Sequence, residues 1–311
     1  MQFSKWHGLG NDYLLVERAE LALPLTPERV QKICDYHFGV GSDGIVEVLS
    51  TNGDSAEVVI WNPDGSTAEL SGNGTRIAAR WLARRDGLDR VRISVGPRDV
   101  VATIRDGKQV ETEMGRVDVG ESEPLRVEGR QYEMVPVAVG NPHAVIRHAP
   151  DHDEFLRLGP AVENHDRFPQ RTNVQFARVD GPHDMTAAVW ERGAGETLSS
   201  GTSAVAVASA AVHHGWCESP VTVHLQGGDL LVEVDADFDA RLTGPAEEIC
   251  TVELSEEFLE SLTGAAPVGQ SPPAATPPPA DGTVPDGPVQ STVPSGTAPS
   301  AGGQESEASE L

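Results

Sequence analysis

Two short segments of the chain begin with serine and glycine, and each precedes a stretch that predicts a helix. They are Ser71-Gly72-Asn73-Gly74-Thr75 and Ser200-Gly201-Thr202-Ser203. The first backbone N–H groups of a helix have no partner inside it and lie at the positive end of its dipole, so such a segment can bind an anion such as a carboxylate. Serine is also a common N-cap, which is the plainer interpretation of each segment taken alone.

The two segments belong to a repeated pattern. Each serine stands nine residues after a polar residue that closes a predicted strand, Asn62 in the first case and Glu191 in the second. The residue numbers of the two serines differ by 129, as do those of the two polar residues. This spacing predicts a duplicated strand–loop–helix unit, with two similar halves that meet at one site.

The elements that must position these segments are mostly short strands. We predict strands at 57–61, 91–95, 135–139, 187–190 and 230–234, and helices at 26–37, 75–85, 155–162 and 203–213. The stretch 204–212 is apolar on all sides, so its helix should be buried all round. We therefore expect an α/β (α+β) fold of two pseudo-symmetric halves, residues 1–117 and 118–263. Each half should be a curled mixed β-sheet wrapped around a central helix.

Residues 264–311 differ in character from the rest of the chain. They are rich in Pro, Ala, Gly and Ser and contain no aromatic residue, Lys or Arg. Such a segment cannot bury enough apolar surface to offset its ordering entropy, so it predicts a disordered tail.

The net charge of −25 limits the partners of the chain. It makes nucleic acid an unfavourable partner because phosphate binding needs clusters of Lys and Arg, and it disfavours an anionic membrane surface. No stretch reaches the length of an apolar membrane span, and the first residues lack the basic and apolar regions of a secretory signal. We expect a cytoplasmic protein that binds a small molecule.

The sequence predicts neither a cofactor nor a metal. Lysine occurs only at positions 5, 32 and 108, outside any glycine-rich stretch, which disfavours a pyridoxal-phosphate Schiff base. No P-loop motif of the GxxxxGK[ST] type occurs. The three cysteines, Cys34, Cys217 and Cys250, are far apart in the sequence, so they form neither a disulfide framework nor a cysteine-rich zinc site.

Eight segments, in order, resemble the diaminopimelate epimerase family. The most specific are Gly140-Asn141-Pro142-His143 and the run from Glu191 to Thr197, Glu-Arg-Gly-Ala-Gly-Glu-Thr. The others are 1–13, 39–43, 62–65, 71–76, 167–173 and 225–228. Together they span essentially the whole part of the chain that we expect to fold.

The resemblance implies a function and a set of site residues. It implies cofactor-independent interconversion of LL- and meso-diaminopimelate in lysine and peptidoglycan precursor biosynthesis, by a homodimer. One acid/base group removes the α-proton while a second delivers a proton to the opposite face. The catalytic positions would be Ser71 and Ser200, tuned by His143 and Glu191. The substrate-binding positions would be Asn11, Asn62, Gly72, Asn73, Asn141, Asn173, Glu191, Arg192, Gly201 and Thr202.

The sequence departs from the family pattern at the two helix starts. The family has cysteine where this chain has Ser71 and Ser200, and Gly44 stands where the family has glutamine. A thiol has a reference pKa of about 8.5, whereas a hydroxyl is far less acidic and needs an adjacent base. Three interpretations stay open: an epimerase that uses two serines, a same-fold isomerase or dehydratase acting on another amino acid, and a non-catalytic binding protein that kept the pocket.

Overall fold

The computed structural model describes residues 1–68 and 71–264, which form five α-helices and eighteen β-strands. The helices are α1 Pro27–Cys34, α2 Gly72–Asp86, α3 His152–Glu163, α4 Gly201–His213 and α5 Glu256–Thr263. The strands up to β9 are β1 Gln2–Gly8, β2 Asn11–Glu17, β3 Ile45–Asn52, β4 Ser55–Trp61, β5 Arg90–Val95, β6 Arg98–Ile104, β7 Gln109–Arg116, β8 Asp118–Val119 and β9 Glu123–Val127. The remaining strands are β10 Arg130–Ala138, β11 Pro142–Ile146, β12 Asn173–Gly181, β13 Asp184–Glu191, β14 Gly195–Thr197, β15 Val221–Leu225, β16 Gly228–Val234, β17 Asp239–Pro245 and β18 Glu247–Glu253.

Two runs of strands repeat one pairing pattern. Along β1-β2-β3-β4-β5-β6-β7 the successive pairs are antiparallel, parallel, antiparallel, parallel, antiparallel and antiparallel. Along β10-β11-β12-β13-β15-β16-β17 the order is the same. The predicted fold class, a mixed α+β fold with an internal repeat, is therefore confirmed.

Each run of strands surrounds one helix. Helix α2 lies against β1 to β7, and its Ile77 and Leu82 are fully buried in an apolar cluster with the strands around them. Helix α4 lies against β8, β10 to β13 and β15 to β17. Its apolar residues are small, so the strands approach it closely, and Ala204 and Val205 have no exposed surface. The prediction that this helix is buried all round is confirmed.

Strands also join the two runs. β7 pairs with β17, and β1 pairs with β18, so strands from the end of the chain complete sheets that begin with its first residues. Residues 1–264 belong to one compact unit. The boundary between residues 117 and 118 stays a prediction, and the predicted tail lies outside the described residues except for Gly264.

The predicted helices differ from the observed ones at their ends. Helix α1 begins after its N-cap Thr26 and ends at Cys34, before the predicted end at residue 37. It ends early because the Asp35 side chain accepts hydrogen bonds from the backbone N–H groups of His37 and Phe38. Helices α2, α3 and α4 begin two or three residues earlier than predicted, and helix α5 was not predicted. Among the described residues, no helix is both long enough and apolar enough to cross a membrane.

Candidate active site

The starts of helices α2 and α4 meet at two glycines. A Cβ atom added to Gly72 would lie 3.0 Å from the Cα of Gly201, and one added to Gly201 would lie 3.2 Å from the Cα of Gly72. Only residues without a side chain allow the two backbones to approach this closely. The structure therefore brings together the two serine-glycine segments found in the sequence.

Asn73 connects the two helix starts. Its Nδ2 donates to the backbone oxygen of Ser199 at 3.1 Å and to Oδ1 of Asn11 at 2.9 Å. The guanidinium of Arg76, which has no exposed surface, donates to Oδ1 of Asn73 and to the backbone oxygen of Gly72. Asn11 and Asn73, both predicted to bind substrate through the side chain or backbone, are thus part of one hydrogen-bonded network beneath the helix starts.

Ser71 is the N-cap of α2. Its Oγ accepts a hydrogen bond from the backbone N–H of Gly74 at 3.1 Å, which is the capping interaction that the sequence predicts. The same Oγ lies 3.1 Å from the phenol oxygen of Tyr13, whose side chain is buried. Burial raises the pKa of Tyr13 far above its ordinary value, against the effect of this hydrogen bond, so the phenol is neutral.

Ser200 stands at the start of α4 in a different environment. Its side chain makes no capping hydrogen bond, and the residue is 4% exposed. The carboxylate of Glu191 is its neighbour. Burial raises the pKa of Glu191 to about 6, although the nearby hydroxyls of Thr197 and Ser200 act to lower it. A carboxylate with this pKa is charged at neutral pH and is a stronger base than an ordinary glutamate.

His143 is held within the second half. Its Nδ1 lies 3.0 Å from Nε2 of Gln175, and its Nε2 lies 2.9 Å from Oδ1 of Asn141. Burial lowers the pKa of His143 to about 3, so the imidazole is neutral, and both of its nitrogens are engaged. Gln175 also donates to Oγ of Ser203 on α4 at 2.9 Å.

Three further predicted substrate-binding residues are Asn173 at the start of β12, Arg192 directly after β13 and Thr202 in α4. Asn173 accepts a hydrogen bond from the backbone N–H of Arg192 and donates to the backbone oxygen of Pro142, at 3.0 Å each. The guanidinium of Arg192 is partly exposed and reaches the backbone oxygen of Gln170 at 3.5 Å. Thr202 is buried in the first turn of α4. The structure thus brings Asn173 and Arg192 into contact.

Asn62 has a more local environment. Its Nδ2 donates to Oγ of Ser66 at 2.9 Å, and its backbone N–H and oxygen pair with Ser66 and Gly65. These contacts form the β-turn that Asn-Pro-Asp-Gly predicts. In this structure the side chain of Asn62 stabilises the turn in which it lies.

Several site residues were not predicted. Asp43 accepts hydrogen bonds from Nδ2 of Asn11 and from the backbone N–H of Asp12, both at 2.9 Å, and its charge raises the pKa of Glu191. Asp12 also forms an ion pair with Lys5 at 2.9 Å. Asp12, Tyr13 and Asp43 lie inside segments that resemble the family, but their side chains carried no assigned role. The carboxylates of Asp12 and Asp43 are suited to bind the ammonium group of an amino acid.

One glycine pattern in the site region matches a nucleotide-binding motif by spacing alone. Gly39, Gly41 and Gly44 have the GxGxxG spacing. They lie between helix α1 and strand β3, whereas the dinucleotide fingerprint leads from a strand into a helix. Within residues 1–68 and 71–264, no group of three or more His, Cys, Asp or Glu side chains is arranged to hold a metal ion.

Comparison with known proteins identifies the family. The family model for diaminopimelate epimerase matches residues 3–120 and 135–249. The chain is 39% identical over 285 residues to a diaminopimelate epimerase of Desulfitobacterium hafniense, covering 83% of this chain and all of that one. It is 39% identical over 277 residues to diaminopimelate epimerase 2 of a Nostoc species, covering 83% of this chain and 96% of that one.

Solved structures share the fold at lower sequence identity. A hydroxyproline epimerase from Agrobacterium vitis has a TM-score of 0.61 and 15% identity, covering 81% of this chain and 91% of that one. A phenazine biosynthesis protein of the PhzF family from Bacillus anthracis has a TM-score of 0.61 and 16% identity, covering 82% of this chain and 99% of that one. The chain has two similar halves whose helix starts are in contact at glycines, and its sequence matches the family over most of its length. The chain therefore belongs to the diaminopimelate epimerase family of isomerases.

Proposed function

We propose that this chain interconverts LL- and meso-diaminopimelate, without a cofactor, by removing the α-proton from one face and returning a proton to the other. The observation that carries the proposal is the contact between the starts of α2 and α4 at Gly72 and Gly201, with a serine hydroxyl at each start. An α-carboxylate bound by the backbone N–H groups of both starts would hold its α-carbon between Ser71 and Ser200.

The same arrangement supports proton removal. Abstraction of an α-proton places negative charge on the carboxylate oxygens, and N–H donors that already point at these oxygens stabilise that charge. The pKa of Glu191, about 6, suits it to accept the proton beside Ser200 at neutral pH. Asp12 and Asp43 would attract the substrate's ammonium group.

A binding protein is the second candidate because the two catalytic positions of the family carry hydroxyls. The third interpretation, a same-fold isomerase or dehydratase acting on another amino acid, shares the carboxylate-binding helix starts. We further propose that the protein acts in lysine and peptidoglycan precursor biosynthesis in the cytoplasm, as a homodimer. The named relatives and the resemblance support this placement, and light scattering of the purified protein would test the oligomeric state.

The decisive experiment uses LL-diaminopimelate in heavy water. The purified full chain should form meso product that carries deuterium at the inverted α-carbon. Glu191→Gln should abolish both inversion and exchange. Glu196→Gln is the matched control, because Glu196 lies on the paired strand β14 but contacts His152.

Three other outcomes separate the alternatives. Calorimetric binding of diaminopimelate without product or exchange would support the binding protein. Exchange or water loss with a different amino acid, and none with diaminopimelate, would support the same-fold alternative. A wild-type chain that neither binds nor turns over diaminopimelate would contradict the proposal.

A further inference from the structure

The buried phenol of Tyr13 has one hydrogen-bond partner among the described residues, the hydroxyl of Ser71 at 3.1 Å. Tyr13 is 6% exposed. A buried hydroxyl needs an acceptor for its proton, since an unmade hydrogen bond at such a site costs free energy. Either oxygen of this pair can donate by geometry, and on this ground we assign the phenol of Tyr13 as the donor to Oγ of Ser71.

Ser71 then has both of its acceptor positions occupied. Its Oγ accepts from the N–H of Gly74 and from the phenol of Tyr13, at 3.1 Å each. A serine oxygen has two lone pairs, and its own O–H is the only polar group left for another partner. Ser71 is only partly buried, so this proton can point away from the helix start, towards a ligand.

Ser200 lies in the opposite situation. It makes no capping hydrogen bond, and its hydroxyl lies near the carboxylate of Glu191, a group that can only accept when it is charged. Ser200 thus has a base beside its hydroxyl, whereas Ser71 has its own proton free for donation. The two helix starts, equivalent in sequence, are prepared for different roles.

Gly44 makes room for this arrangement. A Cβ at Gly44 would lie 2.7 Å from Cε1 of Tyr13 and 2.4 Å from the backbone oxygen of Trp61. In the second half, the strand register places His143 at the position that Tyr13 occupies in the first half. The neighbouring strand has Asn173 opposite His143, at the position that Gly44 occupies in the first half. His143 contacts Gln175 and Asn141 there, so the tyrosine–serine pair is specific to the first half.

We propose that Tyr13 is a positioning residue that holds Ser71 as the proton donor, while Glu191 and Ser200 form the base on the opposite face. This inference rests on the proposed function. The α-proton passes to Oγ of Ser200 as Ser200 gives its proton to Glu191, and Ser71 gives its proton to the other face of the α-carbon. The Ser71 alkoxide accepts hydrogen bonds from Tyr13 and Gly74 until water returns a proton to it, and Glu191 releases its proton to water.

Two reactions distinguish the donor from the base. Epimerisation of diaminopimelate needs both groups, whereas loss of halide from a diaminopimelate analogue with a halogen on the β-carbon needs only proton removal. The diastereomer of this analogue whose α-proton faces Ser200 should eliminate halide rapidly on the wild-type enzyme, and the other α-epimer should react slowly.

Tyr13→Phe should lower kcat for epimerisation by about 100-fold, the effect of removing one donor to a developing oxyanion. Elimination from the rapidly reacting diastereomer should stay at the wild-type rate. Tyr132→Phe is the matched control, since Tyr132 contacts Glu154 in a different apolar cluster and should leave both rates unchanged.

Equal losses in both reactions for Tyr13→Phe, or an unchanged epimerisation rate, would overturn the inference while leaving the proposed function intact. A wild-type enzyme that performs neither reaction would contradict the proposed function itself, and the role of Tyr13 would be overturned with it. Circular dichroism melting of each variant checks that the fold is retained.

Discussion

Asn73 in the first half donates a hydrogen bond from Nδ2 to the backbone oxygen of Ser199 in the second half, over 3.1 Å. Asn73 follows Ser71 by two residues, and Ser199 directly precedes Ser200. This single amide therefore links the backbones that carry the two serine hydroxyls. The distance between those hydroxyls depends on this contact and on the glycine contact beside it.

Gly201→Ala should test the glycine contact. The new methyl group would lie 3.2 Å from the Cα of Gly72 and 3.0 Å from Cδ2 of Leu242, so the helix starts must separate. We expect a loss of about 1–3 kcal/mol in the free energy of unfolding. We also expect a loss of about 100-fold in kcat/KM, because the reacting groups move apart. Urea unfolding and the epimerisation assay would measure the two effects.

Gly181→Ala is the control for this variant. A Cβ at Gly181 would meet Asp184 at 3.4 Å, an ordinary van der Waals distance, and the position lies at a strand end. It should retain wild-type activity. Full activity of Gly201→Ala would show that close approach of the helix starts is unnecessary.

The raised pKa of Glu191 predicts a pH dependence of activity. Its carboxylate must be charged to accept a proton, so kcat/KM should rise with pH through an apparent pKa of about 6. A profile that is flat between pH 5 and 7 would contradict Glu191 as the base.

The same shift predicts that Glu191 lowers stability at neutral pH. Its folded pKa lies above the ordinary value of 4.5, so the unfolded state releases the proton first as pH rises. Stability is therefore lost between pH 4.5 and 6, and the loss is complete above that range. Glu191→Gln should be more stable than wild type at pH 7.5, by on the order of 1–2 kcal/mol, and equally stable at pH 4. Thermal melting at the two pH values would measure the difference.

His143 should have the opposite effect on stability at low pH. Its pKa is lowered to about 3 from the ordinary 6.5, so below pH 6.5 the unfolded state binds a proton that the folded state does not. Wild type should therefore lose about 2–3 kcal/mol relative to His143→Asn between pH 6.5 and 4.5. Parallel stability curves for the two proteins over this range would mean that His143 is accessible to protons in the folded state.

Replacing both serines with cysteine tests whether acid strength limits the rate. A thiol at a helix start has a lowered pKa and exchanges protons readily at neutral pH. The double variant Ser71→Cys with Ser200→Cys should raise kcat by about 100-fold, the lower end of what a matched acid/base group contributes. Ser209→Cys adds a buried thiol to α4 away from the helix start and should change nothing. An unchanged rate in the double variant would mean that another step limits turnover.

The sequence predicted the fold class because its signals are local. Apolar periodicity and N-cap residues reveal α2 and α4, and the common spacing of Asn62–Ser71 and Glu191–Ser200 reveals the repeat. The early end of α1 was missed because it depends on the Asp35 side chain, which competes with the helix for backbone N–H groups.

The hydrogen-bond partners in the site could not be predicted in the same way. The contact of Tyr13 with Ser71 joins residues that are far apart in the sequence and depends on strand register and on the space left by Gly44. The sequence contains one signal for Gln175 as a site residue. It stands two residues after Asn173, so both side chains lie on the same face of the strand. Its contact with His143 appears only when β11 pairs with β12.

The pairing of β7 with β17, one strand from each run, has a mechanical consequence. Proteins whose lobes are connected by a single linker can admit a ligand by swinging about it as a hinge. Here the ladder of backbone hydrogen bonds between β7 and β17 would have to shear before the two runs could swing apart. This ladder therefore restrains the separation of the helix starts, and with it the gap between the two opposed hydroxyls.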